Sequence, residues 1–414
     1  MMVRPIYGDH RSDGLQLPER FVLIDLNIIR DNLKNVKQYM YAQGSKPHIM
    51  AVLKANAYGH GLIAVAHALQ SEVEAFAVQD ASEAIRLRQS GITIPILVLS
   101  PYLPLPIALQ YQLWPTIADL KTLAQWIALG EQLQQTLEAH IAVNVSLMRY
   151  GFDVSDIPFV LEQLKTSRFL KVAGLYGHLS PGWLTSEKTY WRSVLARFLK
   201  IREMFDAAHV DVGRMHLANS EAALAVPEMR LDMVRIGNAL FGMTRSMNGV
   251  TLRPAHQIYA RLVAKHRVSK GERIGYEGRY RAKRPMTVGV VAFGTYDGFG
   301  WYRYPQALNW REWFLHIGRL FYRRLVPRPT VFLDQQALPV IGKAGMHALF
   351  IDLTMHPTID IGTYVRVEPP SLLLVKEDTI RLYDLEQAQR ILDDKGDGWS
   401  YLNRHDSDVV VAAF

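Results

Sequence analysis

Cysteine is absent from all 414 residues. That excludes disulfide frameworks, thiolate metal sites and cysteine nucleophiles, and it is compatible with the cytoplasm. No apolar run approaches the length of a membrane span. The first residues, Met1-Met2-Val3-Arg4-Pro5 and then Gly8-Asp9-His10-Arg11, hold no apolar segment of the kind a secretory signal carries. A soluble protein is expected. Charge of neither sign dominates: 47 Lys+Arg against 39 Asp+Glu leave +8. No Lys/Arg block is dense enough to favour nucleic acid, and a moderate positive balance equally suits a protein that binds phosphorylated or carboxylate ligands. Internal repeats and low-complexity tracts are also missing, and no metal site is indicated.

What is present is an ordinary soluble balance, 49 % apolar and 21 % charged, in a chain longer than one typical domain. From about Phe21 to Gly242, short apolar runs alternate with helical periods. The runs are Phe21–Ile24, Ile49–Leu53, Ala75–Val78, Ile96–Leu99, Ile141–Val145, Val172–Tyr176, Met215–Leu217 and Met233–Ile236. The helix after the first run would bury Ile29, Leu33, Val36 and Met40, and the one over Tyr190–Phe205 would bury Trp191, Leu195, Phe198, Ile201 and Phe205. This alternation argues for a parallel β/α architecture, and its length fits a TIM (β/α)8 barrel over residues 20–245. A doubly wound sheet is the main rival, which periodicity alone does not separate. Candidate chemistry at the ends of several different strands favours the barrel. After Gly242, strand-like Tyr259–Lys265, Thr287–Ala292 and Thr363–Val367 lie between Gly, Pro and charged turns, which predicts a mainly β C-terminal domain over 246–414 to which residues 1–20 could attach. One stretch departs from that texture: Trp310–Leu325 spaces Trp313, Ile317, Leu320 and Phe321 as a basic amphipathic helix. It could lie on a membrane surface, although packing on the β domain or a second copy is the simpler reading.

Lys54 ends the apolar run His48–Leu53 and is followed by Ala55-Asn56-Ala57-Tyr58-Gly59-His60-Gly61. A lysine at the end of a buried strand is placed to form a Schiff base. Its apolar neighbours disfavour the ammonium form, and the glycines let a loop fold closely over a cofactor. Taken alone it is more simply a solvated charge at a sheet edge. Other polar groups also follow apolar runs: Arg149 in Met148–Phe152, His178 in Gly177–Ser180, Asn219 and Ser220 in His216–Leu224, and Arg235, Gly237 and Asn238 in Met233–Gly242. Singly, these read as a surface ion pair, a satisfied core imidazole, a helix cap and a strand-closing arginine. The cap geometry at Asn219-Ser220 would equally present N–H groups and a hydroxyl to a phosphate. Tyr276, within Gly271–Tyr280, would ordinarily be a hairpin residue.

In wording and order these segments resemble the alanine racemase family: V-L-K-A-N-A-Y-G-H-G its cofactor lysine motif, then M-R-Y-G-F, G-H-L-S, H-L-A-N-S-E-A-A, V-R-I-G-N-A-L-F-G and G-Y-E-G-R-Y. Downstream, G-T-Y-D-G-F and G-K-A-G-M-H extend the likeness over nearly the whole chain. The resemblance implies a barrel plus a C-terminal β domain, pyridoxal 5'-phosphate as cofactor, a small amino-acid substrate and a head-to-tail homodimer whose sites are shared between subunits. It implies that Lys54 carries the cofactor and is one catalytic base, with Tyr276 of the other chain as the second. A phenol titrates ordinarily at about 10 and needs nearby cations to serve so. Arg149 is implied beside the cofactor oxygen and the substrate carboxylate, His178 stacked on the ring, and Arg235 at the pyridine nitrogen. Tyr58, Asn219, Ser220, Gly237, Asn238 and a C-terminal tyrosine, for which Tyr401 is the candidate, are implied as further cofactor contacts, and Met346 as a substrate contact. A permanently charged guanidinium at that nitrogen keeps it unprotonated and weakens the electron sink.

Departures gather near the substrate. Where many relatives have a carbamylated lysine and an aspartate, alignment on Arg149 places Ala142 and Asn144. Phe241 replaces a tyrosine, Glu277 interrupts G-Y-G, Thr295 takes a gate tyrosine's place with Tyr296 shifted by one, and Trp183 takes an acidic position. Lys343 and His347 replace an arginine and an aspartate, and Gly300 to about Leu320 reads as an insertion. The expected activity is interconversion of L- and D-alanine by two bases. A different or broader amino-acid substrate, or a non-catalytic pyridoxal-phosphate-binding relative, are the alternatives.

Overall fold

The computed structural model describes residues 18–179, 188–244, 249–300, 310, 313–314, 317–318, 330–333, 335–369, 371–375 and 379–383. The chain divides into two compact units, Leu26–Ala255 and Met1–Asp25 with His256–Phe414. The first strand, β1 (Arg20–Ile24), was expected in the barrel. It belongs instead to the other unit, where both of its edges are paired. A run of apolar residues records that a strand is buried, not which sheet takes it up.

Among its described residues, the unit Leu26–Ala255 holds eight parallel strands: β2 (His48–Val52), β3 (Ala75–Val78), β4 (Ile96–Val98), β5 (Thr116–Ile117), β6 (Leu137–Ala142), β7 (Leu170–Tyr176), β8 (Arg214–His216) and β9 (Met233–Ile236). They form two four-stranded sheets, β4-β3-β2-β9 and β5-β6-β7-β8. A parallel bridge between Leu97 and Trp114 links β4 to the residues before β5, and the Arg235 N–H reaches the Ala218 carbonyl at 3.0 Å after β8. The ring thus closes as a barrel. The strand that completes it in place of β1 is β5, two residues behind Pro115, too short to stand out as an apolar run.

Met50, Val52, Ala75, Ala77, Leu97, Leu99, Ala142, Tyr176 and Met233 form one buried cluster. Outside it, the helix Leu26–Ala42 buries Ile29, Leu33, Val36 and Met40, one apolar stripe at helical spacing. Asn32 lies on the same face, fully buried, and is satisfied by the Leu240 and Arg253 carbonyls and the Arg253 N–H at 2.8–2.9 Å. The helix Lys188–Ala207 buries Trp191, Phe198, Ile201 and Phe205, with Val194 more deeply covered than the expected Leu195.

In the other unit, the long strand β10 (His256–Val268) is the organising element. Next come the hairpin β11 (Arg273–Ile274) and β12 (Tyr280–Arg281), then β13 (Met286–Val291), β14 (Val331–Leu333), β15 (Gln336–Ala337), β16 (Leu349–Asp352), β17 (Tyr364–Val367) and β18 (Ile380–Leu382). The order β15-β14-β17-β10-β1-β18 is extended by β13, which pairs with both β10 and β16. Among the described residues of this unit, β1 and β18 alone pair in parallel. Of the expected amphipathic helix, Trp310, Trp313, Phe314, Ile317 and Gly318 are described and helical; the rest lies outside the described residues. Among the described residues no helix is long and apolar enough to cross a membrane.

Phe21 is fully buried on β1, stacked on Tyr259 at 5.3 Å and edge-on to Tyr364 at 5.4 Å. Phe21→Ala is expected to cost about 3–5 kcal/mol in denaturant unfolding of the full-length protein. A loss below about 1 kcal/mol would mean that β1 does not hold this sheet together.

Candidate active site

Lys54 follows directly on β2, past Leu53, whose N–H still bonds the Ala77 carbonyl of β3 at 2.8 Å. The backbone then turns left-handed for four successive residues, Ala55, Asn56, Ala57 and Tyr58, at φ 51–55°. Such a turn disfavours side chains by roughly 1–2 kcal/mol per residue. Glu83, itself buried, offsets that cost, accepting the Asn56 and Gln79 N–H groups at 3.0 and 2.8 Å. Asn56 in turn accepts the Leu62 N–H at 2.7 Å, and Gly59 and Gly61 take the remaining positive φ values of 88° and 91°. The turn carries Tyr58 to Gly237: a Cβ there would lie 2.6 Å from the Tyr58 hydroxyl oxygen. Burial pushes the Tyr58 phenol up to about 12, so it is a donor at neutral pH.

Arg235, on β9 and almost wholly buried, fixes the opposite wall. Its Nη1 donates to the His216 carbonyl at 2.8 Å and to His216 Nδ1 at 2.9 Å; Nη2 donates to the Gly177 carbonyl at 2.8 Å and approaches His178 Nδ1 at 3.3 Å. A guanidinium only donates, so these bonds set the tautomers. His216 must carry its proton on Nε2, which meets His140 Nδ1 at 2.9 Å. His140 then carries its own on Nε2, a buried atom with no hydrogen-bond partner among the described residues. Gly174 makes the room, since a Cβ there would sit 2.5 Å from His140 Nδ1. Tyr176 stacks on His216 at 5.0 Å and 12°.

The charges act together. Burial, then Arg149, then Arg235 hold the Lys54 amine below its ordinary 10.5, with Glu83 opposing. Burial, then Arg235, Arg149 and Lys54 push His178 down to about 3, so its imidazole is neutral at working pH. Burial lowers Arg235 only to about 10, leaving it cationic. Across the mouth, Arg149, His178, Ala142, Asn144, Tyr150 and Tyr176 line one cleft. At the far side, the Gly237 and Ala239 N–H groups both donate to Ser220 Oγ, at 3.0 and 3.3 Å, leaving the hydroxyl proton as the group that can face outward.

Residues 24–245 match the family model described as alanine racemase, N-terminal domain, and residues 255–369 the one described as alanine racemase, C-terminal domain. The chain belongs to the alanine racemase family. It is 32 % identical to the alanine racemase of Xanthomonas axonopodis pv. citri (strain 306) over 357 residues, 83 % of this chain and 86 % of that one. To the alanine racemase of Nostoc sp. (strain PCC 7120 / SAG 25.82 / UTEX 2576) it is 28 % identical over 360 residues, 83 % and 85 % of the two. Among solved structures, alanine racemase from Clostridium difficile 630 superposes with a TM-score of 0.75 at 24 % identity, covering 89 % of this chain and 96 % of that one. That of Bartonella henselae, described with covalently bound pyridoxal phosphate, gives 0.71 at 21 % identity, covering 88 % and 99 %. The family and the barrel-plus-β fold expected from the motifs are thereby established.

Within the barrel unit, Lys54, Tyr58, Arg149, His178, Asn219, Ser220, Arg235, Gly237 and Asn238 all follow or end strands at one end of the ring. Two are partly engaged already. The Asn219 side-chain oxygen caps the helix Ser220–Ala225 by accepting the Ala222 N–H at 3.0 Å, and the Gly237 N–H donates to Ser220 Oγ at 3.0 Å. Asn238 beside them is exposed. Within the β unit, Tyr276 sits in the β11–β12 hairpin, 62 % exposed, its N–H on the Lys343 carbonyl at 2.9 Å and the Lys343 ammonium 5.3 Å from its ring. Met346 is exposed in the same neighbourhood; its carbonyl accepts the Tyr296 N–H at 2.9 Å. Tyr401 and Trp183 lie outside the described residues. Sequence reasoning missed Glu83 and His140. An acidic residue in a helix and a histidine in a strand carry no local mark of what they will meet.

His140 and His178 take up protons only near 3 in the folded protein, and His216 well below its ordinary range, all chiefly through burial. Unfolded histidines titrate at about 6.5. The unfolded chain therefore binds more protons in this window, so stability is intact above about pH 6.5 and lost as pH falls below it. Urea midpoints for the barrel should be lower at about pH 4.5 than at about pH 7. Equal midpoints would contradict the neutral imidazoles.

Proposed function

We propose that the protein interconverts L- and D-alanine with pyridoxal 5'-phosphate, using Lys54 and Tyr276 as bases on opposite faces of the substrate. The observation that carries this reading is the Lys54 amine at a strand end, its pKa held below the ordinary lysine value by burial and by Arg149 and Arg235. The residues present fit the cofactor. Lys54 offers a nucleophilic nitrogen, and the neutral His178 a flat face. Ser220 and Tyr58 offer hydroxyl protons around Gly237, where any side chain would collide with the Tyr58 oxygen. When bound, the cofactor supplies the electron sink that makes the substrate α-proton removable.

The chain's own groups do the rest. Lys54 would hold the cofactor and, once the substrate amine has taken its place there, its freed Nζ exchanges the α-proton on one face, while Arg149 takes the substrate carboxylate. Arg235 stays charged at neutral pH, so a hydrogen bond from it to the pyridine ring would pass no proton; its Nη donors are turned on His216, Gly177 and His178. Tyr276 Oη, supplied by a second copy of the chain, exchanges the proton on the other face. Because removal and return occur on opposite faces, the stereocentre inverts. The reading includes a homodimer with shared sites and a cytoplasmic setting, with which a cysteine-free chain is compatible.

A second substrate within the same reaction is favoured by one observation. Glu277 occupies the family's glycine position at φ 62° and sets a carboxylate beside Tyr276, held by Lys343 and Arg279. Racemisation of alanine, serine and lysine in parallel separates a broad from a narrow preference.

Lys54→Ala and Tyr276→Phe should each lower alanine racemisation by at least about a thousandfold, judged against the usual contribution of a positioned base. Mixing the two inactive variants, unfolding and refolding them together, should restore activity, because the mixed dimer holds one site with both bases. Unrestored activity in a mixture shown to contain the mixed dimer would refute the shared site.

A further inference from the structure

Arg149 meets no carboxylate among the described residues. Its Nη2 donates to the Tyr150 hydroxyl oxygen at 2.8 Å, and its guanidinium carbon lies 4.3 Å from the centre of the Tyr150 ring. The same hydroxyl gives its proton to the Leu99 carbonyl at 2.7 Å. A phenol has one proton, so with that proton committed the oxygen faces Arg149 purely as an acceptor. Leu99 follows β4 and Tyr150 follows β6, so one hydroxyl ties the arginine to a second strand end.

The tyrosine is itself held. Its ring packs, half-buried, on the cluster containing Ala142, Tyr176, Leu97 and Leu99, where the methyl of Ala142 occupies little of the space. The loop that bears it is fastened back on β6: the Phe152 N–H bonds the Ala142 carbonyl at 2.9 Å, and the Asn144 N–H bonds the Phe152 carbonyl at 2.9 Å. Gly151 permits that return at φ 121°, and a Cβ there would meet the Val143 carbonyl carbon at 2.9 Å.

We propose that Tyr150 is a positioning residue that holds the Arg149 guanidinium in the cleft it shares with His178 while leaving its full charge unneutralised for the carboxylate of the amino-acid substrate. The proposal rests on the racemase reading for the identity of that carboxylate, not for the placement of the arginine. A carboxylate in the same role would fix the geometry but cancel much of the charge, whereas a phenol fixes it and cancels nothing. The charge is felt across the pocket. Arg149 is among the groups holding down both Lys54 and His178; Lys54 also faces Arg235 and Glu83, and His178 also faces Arg235. Cation–ring stacking adds a second restraint that survives loss of the hydroxyl.

The test uses the full-length, pyridoxal-phosphate-loaded protein and two variants, Tyr150→Phe and Tyr150→Leu, with thermal unfolding midpoints recorded to establish that each is folded. Tyr150→Phe should raise the alanine KM about tenfold with kcat within about threefold, as expected for loss of a hydrogen bond to a charged group that binds substrate. Tyr150→Leu, which also loses the stacking, should raise KM further. Crystal structures of the wild type and Tyr150→Phe provide a readout free of turnover: the Arg149 guanidinium should leave its wild-type position in the variant. If Tyr150→Phe keeps KM within about twofold and Arg149 in place, the proposal is overturned while the racemase reading stands. Should the wild type fail to racemise alanine, that reading falls, and the pair of crystal structures still decides whether Tyr150 positions Arg149.

Discussion

The Arg235 guanidinium is a full positive charge almost without solvent, held by the His216 and Gly177 carbonyls and by two imidazole nitrogens. Such a charge is tolerable only where its donors are satisfied. The satisfaction comes from the ends of β7 and β8, so barrel closure and the electrostatics of the pocket are one constraint. With Arg235 in place, the titratable amine and imidazoles around it are pressed towards their neutral forms. His178 and His216 are neutral, Lys54 is driven the same way, and the histidine tautomers follow in sequence as far as His140. A pocket of this kind favours ligands with negative charge, and a phosphorylated cofactor and a carboxylate substrate both qualify.

Much of this was readable from the chain because strand ends announce themselves. Each of Lys54, His178 and Arg235 closes or follows a short apolar run, and Arg149 comes a few residues behind another. Alternation of such runs with helical periods placed them on a common face once a barrel was assumed. Membership of β1 was not readable, since Phe21–Ile24 is as apolar as any barrel strand and is claimed by a sheet whose other members lie more than two hundred residues away. Nor was β5, which has two residues and a proline before it. The left-handed turn after Lys54 was half visible: Gly59 and Gly61 suggested unusual backbone, but nothing local says that Ala55 to Tyr58 share it. That conformation is stabilised by Glu83, a partner distant in sequence.

The departures from the family pattern also take on physical meaning. Ala142 belongs to the buried cluster against which Tyr150 packs, and the Tyr150 hydroxyl oxygen accepts from Arg149. Glu277 adopts a backbone conformation suited to glycine and is paired with Lys343 and Arg279 on an exposed hairpin. The first puts a small residue where the family pattern has a long one, and the second a larger residue where it has glycine. Inside the barrel, by contrast, Arg235 is satisfied by backbone carbonyls and by imidazole nitrogens.

The central claim is that the Lys54 amine is held below its ordinary titration range by burial and by two guanidinium groups. Its most direct test is the pH dependence of Lys54 acylation in the full-length protein stripped of cofactor, read by mass spectrometry on the peptide that contains it. The half-maximal rate should fall clearly below pH 10.5, and Arg149→Met should move it upward. A wild-type Lys54 that titrates at the ordinary lysine value, unmoved by loss of Arg149, would contradict the account.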